Sequence, residues 1–148
     1  MTEATKNIIM NTVKEWAKFT TEREKMRGVA GEIAGFARKA IQECLALMKA
    51  QNVEVQCDSP ETMEILNVPV SAEPVIDATF PNVKVTVLLK CGGANRSIVI
   101  NPNLTISAGG APIGLDQLRK GLPEPFVTNA AEFVRDAFLN IARAGGKE

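Results

Sequence analysis

Apolar residues recur at helical spacing in both halves of the first 51 residues. Two stripes are present: Ile9, Val13 and Trp16, then Ile33, Phe36, Ala37, Ala40 and Cys44. Such a period is typical of helices that turn one face towards a core. Between the stripes, Thr21 and Glu24 have the spacing of a capping box. We expect two helices, or one long helix bent near residues 20–31, because an uninterrupted helix of this length is unusual in a small domain.

The middle of the chain changes to the alternation that is typical of strands. Residues 53–57 alternate, and residues 82–107 carry the strongest strand pattern. Between these segments, Ser59 and Pro60 combine an N-cap residue with proline at the first helical position, which predicts a short helix near residues 60–66. The segment 91–95 fits a five-residue hairpin loop.

The C-terminal part returns to helical spacing. A short helix is expected at residues 115–120, and a longer one is expected from Asn129, which has Glu132 three residues later. Helices, then an antiparallel meander, then helices define an α+β fold. We expect one domain over residues 1–148, with three to five strands and the last helix packed on the sheet. Residues 1–51 and 113–148 are expected to be helical. Residues 52–112 are expected to be mainly β, with the short helix near residues 60–66.

The expected hairpin decides which side chains share a face of the sheet. If residues 91–95 form the loop, Lys90 lies opposite Arg96. One face then carries Val83, Val85, Val87, Leu89 and Val99, and the other carries Lys84, Thr86, Leu88, Lys90, Arg96, Ile98 and Ile100. The second face has an apolar middle and a basic tip. Either helices of the same chain cover it, or it meets another subunit or a ligand.

The composition excludes several kinds of site. The chain has no histidine, so it cannot use a Ser-His-Asp or Cys-His mechanism or bind a metal through histidine. Its 17 basic and 17 acidic residues give zero net charge, which argues against nucleic-acid binding held by overall charge. A local excess exists, because residues 1–51 hold nine basic and six acidic residues. No catalytic, cofactor-binding or metal-binding pattern is found, and we expect a protein that is not an enzyme and uses no cofactor.

The cysteines indicate a reducing compartment. Cys44, Cys57 and Cys91 are odd in number and lack CxxC spacing, which is not typical of a disulfide scaffold. Cys91 lies beside Lys90, which could lower its thiol pKa, but a strand-end cysteine is the favoured interpretation. No apolar stretch nears the roughly 20 residues of a membrane helix. We expect a cytoplasmic protein that does not bind membranes.

Three hypotheses of function follow. The first is a protein-binding, assembly or adaptor module that acts as a homodimer or higher homo-oligomer, with another protein as a further partner. Its expected contact residues are Trp16, Leu88, Ile98 and Ile100. The second is a nucleic-acid-binding protein that uses the N-terminal helix and a basic hairpin tip, formed by Lys84, Lys90 and Arg96. The third is a small-ligand-binding domain, with the Gly-Gly loops at 92–93 and 109–110 as polar lining.

One segment resembles a known family. Val83-Lys-Val-Thr-Val87, a hairpin and Ile98-Val-Ile-Asn-Pro-Asn-Leu104 are similar to the strand pattern of YbaB-type nucleoid-associated proteins. The resemblance implies a small DNA-binding dimer with a helix, an antiparallel sheet and a closing helix, here residues 133–144. It covers about a fifth of the chain and leaves residues 52–81 without a counterpart. It supports the nucleic-acid hypothesis as the alternative.

Overall fold

A computed structural model describes residues 1–108 and 110–145 of the chain. Its first element is one continuous helix, α1 (Glu3–Ala50), so the interpretation as two helices is wrong. The cap is Thr2, whose hydroxyl oxygen accepts a hydrogen bond from the Thr5 amide at 3.2 Å. The box at Thr21 and Glu24 lies inside the helix. Its capping signal is overridden because Phe19 before it and the buried face from Met26 onwards pack against the rest of the chain and stabilise the helical conformation.

Two antiparallel sheets follow α1. The small sheet consists of β1 (Val55–Gln56), β2 (Glu64–Ile65) and β3 (Val68–Pro69). The larger sheet is a meander in chain order, formed by β4 (Ser71–Thr79), β5 (Asn82–Cys91), β6 (Ala94–Ile100), β7 (Thr105–Ser107) and β8 (Ile113–Gly114). Two helices close the chain, α2 (Leu115–Lys120) and α3 (Glu124–Gly145). The expected α+β class is confirmed.

The expected short helix near residues 60–66 is absent, and turns replace it. The Ser59 hydroxyl donates to the Glu61 carboxylate at 2.6 Å and accepts from the Glu61 amide at 3.4 Å. The Thr62 amide donates to the Ser59 carbonyl at 3.2 Å. The Ser-Pro pair therefore stabilises one turn only. Pairing of β2 from Glu64 onwards takes the chain into the sheet before a helix can propagate.

The sequence pattern predicted the bounds of α2 correctly but placed the start of α3 too late. α2 has the predicted bounds, and it ends at Gly121. α3 begins at Glu124, five residues before the expected start, and Asn129 is a buried position within it. The reason is that Pro125 lies in the first helical turn, where proline is tolerated and starts a helix as readily as it ends one.

The core lies between the two long helices and one face of the larger sheet. α1 contacts β4 and β5, and α3 lies beside α1 and contacts β6. The largest fully buried side chains include Ile33, Ile41, Leu45, Val87, Leu89, Ile98, Phe126 and Phe133. Side chains on the other face of the sheet are exposed or half-buried. The molecule is therefore a layer of helices on one face of a sheet.

The hairpin between β5 and β6 is shorter than expected, and this shifts the register by one residue. Its loop is Gly92 and Gly93 alone, with Cys91 opposite Ala94. Both glycines have positive φ, 54° and 83°, as the two-residue hairpin turn that matches strand twist requires. Lys90 therefore lies opposite Asn95 and not Arg96.

This register reverses the expected facing of β6. Ile98 lies opposite Val87 and Ile100 opposite Val85, and both isoleucines are buried in the core. Val99 instead faces outwards and is 44% exposed. The expected placement of Ile98 and Ile100 on the same face as Leu88 is wrong, because a shift of one residue moves every side chain of a strand to the opposite face.

Gly92→Ala should destabilise the protein more than Gly93→Ala. A left-handed conformation costs an alanine about 1–2 kcal/mol at either position. A Cβ at Gly92 would also overlap Cγ1 of Ile141 in α3, whereas nothing lies within 4 Å of a Cβ at Gly93. Urea unfolding should show losses of about 2–4 kcal/mol and about 1–2 kcal/mol respectively. Equal losses would contradict the close approach of this turn to α3.

Candidate interaction surface

The first third of α1 is not covered by the rest of the described chain. Every side chain from residue 3 to residue 18 is exposed, and the buried face of the helix begins at Phe19. We call residues 3–18 the arm. At 1.5 Å per residue, the arm is about 24 Å long. Among the residues that the structure describes, its neighbours outside α1 lie at its base.

One side of the arm is apolar. Ile9, Val13 and Trp16 are spaced by four and three residues, so they lie on the same side of the helix. They are 53%, 52% and 52% exposed, and Ile8 and Met10 beside them are 64% and 52% exposed. We call these five residues the stripe. The sequence pattern predicted the helical spacing of Ile9, Val13 and Trp16, but the expectation that they face a core is wrong within a single chain.

An aromatic cluster lies at the base of the arm. The rings of Trp16, Phe19 and Phe80 have centroids 5.3–5.8 Å apart. Phe80 lies in the turn between β4 and β5, so the cluster joins the arm to the sheet. The Arg23 guanidinium lies 5.5 Å from the centre of the Phe19 ring, a cation–π distance. The cluster fixes the direction in which the arm leaves the molecule.

The role of Phe80 in this cluster was not predicted from the sequence. The side chain is 46% exposed, and with Phe19 and Pro81 it lines a cavity of about 440 Å³. Charged side chains of α1 complete the lining, namely Glu15, Lys18 and Glu22. The available signal was an aromatic residue directly before a proline at a turn between two strands.

The four predicted contact residues do not form one surface. Trp16 lies on the arm, whereas Leu88 is half-buried on the outer face of the sheet, away from α1. Ile98 and Ile100 are 1% and 5% exposed and belong to the core. Only the first two are accessible to a partner, and they lie on different sides of the molecule.

The three predicted cations are also separated. Lys84 and Lys90 lie on the outer face of β5, opposite Asp77 and Ser71 of β4. Arg96 points to the helical side of the sheet. There its guanidinium lies 3.7 Å from the Glu132 carboxylate and 3.2 Å from the Asp136 carboxylate of α3. The structure therefore does not form the basic hairpin tip that the pattern suggested.

These contacts give Arg96 a structural role. The Arg135 and Arg96 guanidinium groups donate hydrogen bonds to Asp136, and they hold the pKa of this carboxyl below its usual range. A cation that is already paired with two carboxylates is less available to a phosphate. Arg96 thus ties β6 to α3.

The cysteines show no sign of activation. Cys91 is 3% exposed, and burial raises the pKa of its thiol to about 11, so the idea of a lowered pKa is wrong. Burial, aided by the charge of Glu43, also raises the pKa of the Cys44 thiol. All three cysteines are free. Residues 1–108 and 110–145 contain no group of three or more Cys, Asp or Glu side chains that could hold a metal ion.

Of the two Gly-Gly loops, the structure describes the one at 92–93 completely. Gly92 and Gly93 form the tight turn that approaches α3, whereas Gly109 lies outside the described residues. The ligand-binding hypothesis for the loop at 109–110 therefore stays a prediction. Within the described chain, no helix has a stretch that is long and apolar enough to span a bilayer.

Comparisons with known proteins gave no family. Protein-family models, curated proteins and solved structures were each compared with the chain, and none matched significantly. The similarity of the strand pattern to YbaB-type proteins therefore assigns no family.

Cys91 should react with thiol reagents only after unfolding. In a Cys44→Ser/Cys57→Ser variant, Cys91 is the one remaining thiol. Because only thiolates react, its labelling at pH 8 should be more than about 100-fold slower in the folded protein than in urea. Similar rates in the two states would show that Cys91 is accessible and would contradict its burial beneath α3 and β3.

Proposed function

We propose that the protein is a non-enzymatic assembly or adaptor module that acts as a homo-oligomer through its arm. The observation that carries this proposal is the stripe, in which five large apolar side chains are each more than half exposed. A contiguous apolar surface of this kind marks interaction sites, and an amphipathic helix is a common recognition element. The free cysteines support a reducing, cytoplasmic location.

The energy available from the stripe is moderate. Burying the exposed half of each large apolar side chain contributes about 1 kcal/mol, hence about 5 kcal/mol for the five. Association costs about 4–15 kcal/mol in lost rigid-body freedom. The stripe is therefore sufficient to drive association only if its partner also buries apolar surface in the contact. This requirement favours a specific partner with a complementary apolar surface over non-specific contacts.

The nucleic-acid hypothesis receives less support. Lys84 and Lys90 face one side of the sheet and Arg96 the other, where acids of α3 pair with it. Lys6, Lys14 and Lys18 of the arm alternate with Glu3 and Glu15, so the arm is not a phosphate track. We therefore place the interaction surface on the apolar side of the arm.

The wild-type chain should be larger than a monomer in solution, and Ile9→Gln/Val13→Gln should be monomeric. Both side chains are half exposed, so the substitutions leave the core unchanged. Losing their burial costs about 2–3 kcal/mol of association free energy, or roughly a 100-fold weaker dissociation constant. Light scattering after size exclusion should give a mass near 15.9 kDa for the variant and a multiple of it for the wild type.

A matched control separates the stripe from the helix as a whole. Asn7→Gln/Asn11→Gln makes two substitutions to glutamine on the opposite side of the arm, where both residues are exposed. This control should associate like the wild type. A wild-type chain that stays monomeric at about 100 μM, a range in which even weak specific contacts form, would overturn the proposal.

A further inference from the structure

A second unpartnered apolar surface lies far from the arm, between the end of α1 and α3. It is a groove with a volume of about 400 Å³. Its apolar lining is Cys44, Leu47, Met48, Ala131, Val134 and Phe138. Leu47 is 73% exposed, which is more than any residue of the stripe. Two neighbouring helices form the walls, so the groove has the shape that accepts a third helix.

The groove and the stripe match in length and chemistry. The groove residues of α3 run from Ala131 to Phe138, and the stripe runs from Ile8 to Trp16. These segments of eight and nine residues are about 10 Å and about 12 Å long, or about two helical turns each. One surface is convex, since it is a single helix, and the other is concave. Both expose mainly apolar atoms, so burying them against each other removes both from water.

The charges around the two surfaces do not oppose this contact. The arm carries three lysines and two glutamates, so it is cationic by one charge. α3 carries Glu124, Glu132 and Asp136 against Arg135 and Arg143, so it is anionic by one charge. The groove lining also includes Arg135, whose guanidinium is paired with the Asp136 carboxylate at 3.0 Å. The opposite signs favour approach, although the effect of single exposed charges is small.

The arm cannot fill the groove of its own chain. Val13 and Cys44 lie on one continuous helix, 31 residues apart, which corresponds to about 46 Å along its axis. Folding the arm back would break the helix near Phe19 and disrupt the aromatic cluster. An arm that enters the groove must therefore belong to another copy of the chain.

We propose, on the basis of the function proposed above, that the groove is the receptor for the arm of a second copy of this chain. Each copy then offers one arm and one groove, and the contact is head-to-tail. Because the two contacting surfaces differ, such an interface repeats from copy to copy and forms a ring if the rotation closes, or a filament if it does not. The protein is thus a self-assembling subunit with a donor end and an acceptor end.

A direct pairing of two arms explains less. The stripe spans only two turns, and Thr5 and Thr12 interrupt the apolar surface on either side of Ile9. A coiled coil is typically indicated by an apolar seam sustained over about three to four heptads, and the arm is only about two heptads long. Pairing of arms would also leave Leu47 and the groove exposed, whereas insertion into the groove buries both surfaces in one contact.

A complementation experiment tests the head-to-tail contact. The arm variant is Ile9→Gln/Val13→Gln, and the groove variant is Leu47→Gln/Ala131→Gln, which alters two exposed lining residues. Ala46→Gln/Asn140→Gln is the control, since both positions are exposed and lie outside the lining. Circular dichroism checks folding, and Leu47→Gln alone serves if the double variant unfolds.

The expected result is that each variant alone is monomeric and that an equimolar mixture forms a dimer of one arm variant and one groove variant. The intact groove of the first then holds the intact arm of the second, and the chain of contacts stops there. The control should assemble like the wild type. Light scattering and native mass spectrometry of isotope-labelled mixtures read out the masses.

The other outcomes overturn specific parts of the account. A groove variant that still assembles by itself would show that arms pair directly, which rejects the groove as receptor and leaves the proposed function intact. Two monomeric variants whose mixture stays monomeric would reject the head-to-tail contact. A wild-type chain that is monomeric throughout would reject the proposed function, and this inference with it.

Discussion

The structure depends on the packing of one face of α1 against the inner face of the larger sheet. From Phe19 to Leu45 this face is buried on β4 and β5, and α3 packs beside it. This burial covers the mainly apolar face of the meander, on which Arg96 is paired with carboxylates of α3. It also sets the position of the arm, because the helix is longer than the sheet that it covers and its first turns have nothing to pack on.

Polar contacts connect the surrounding elements to this core. Arg119 of α2 binds Glu32 of α1 through two hydrogen bonds of 2.8 and 2.9 Å, and these hold the pKa of the Glu32 carboxyl below its usual range. Arg96 connects β6 with α3 in a similar way. Exposed pairs of this kind contribute little to stability, so they orient elements that apolar packing holds.

The sequence predicted what depends on local pattern and missed what depends on distant packing. Alternation located the meander, and Gly121 located the end of α2. The facing of Ile98 could not be predicted, because a Gly-Gly turn and a longer loop around it differ by one residue of register and both suit the local sequence. Likewise, the period of Ile9, Val13 and Trp16 indicates an apolar side, but the local pattern does not show whether that side packs within the chain.

The fluorescence of Trp16 tests most directly whether the stripe is a contact surface. It is the only tryptophan of the chain and belongs to the stripe, half exposed in the single chain. As protein concentration rises through the association range, its emission should shift to the blue and its quenching by acrylamide should fall by about twofold, because the partner removes the indole from water. An emission and quenching that stay constant while the mass increases would show that the chains associate elsewhere.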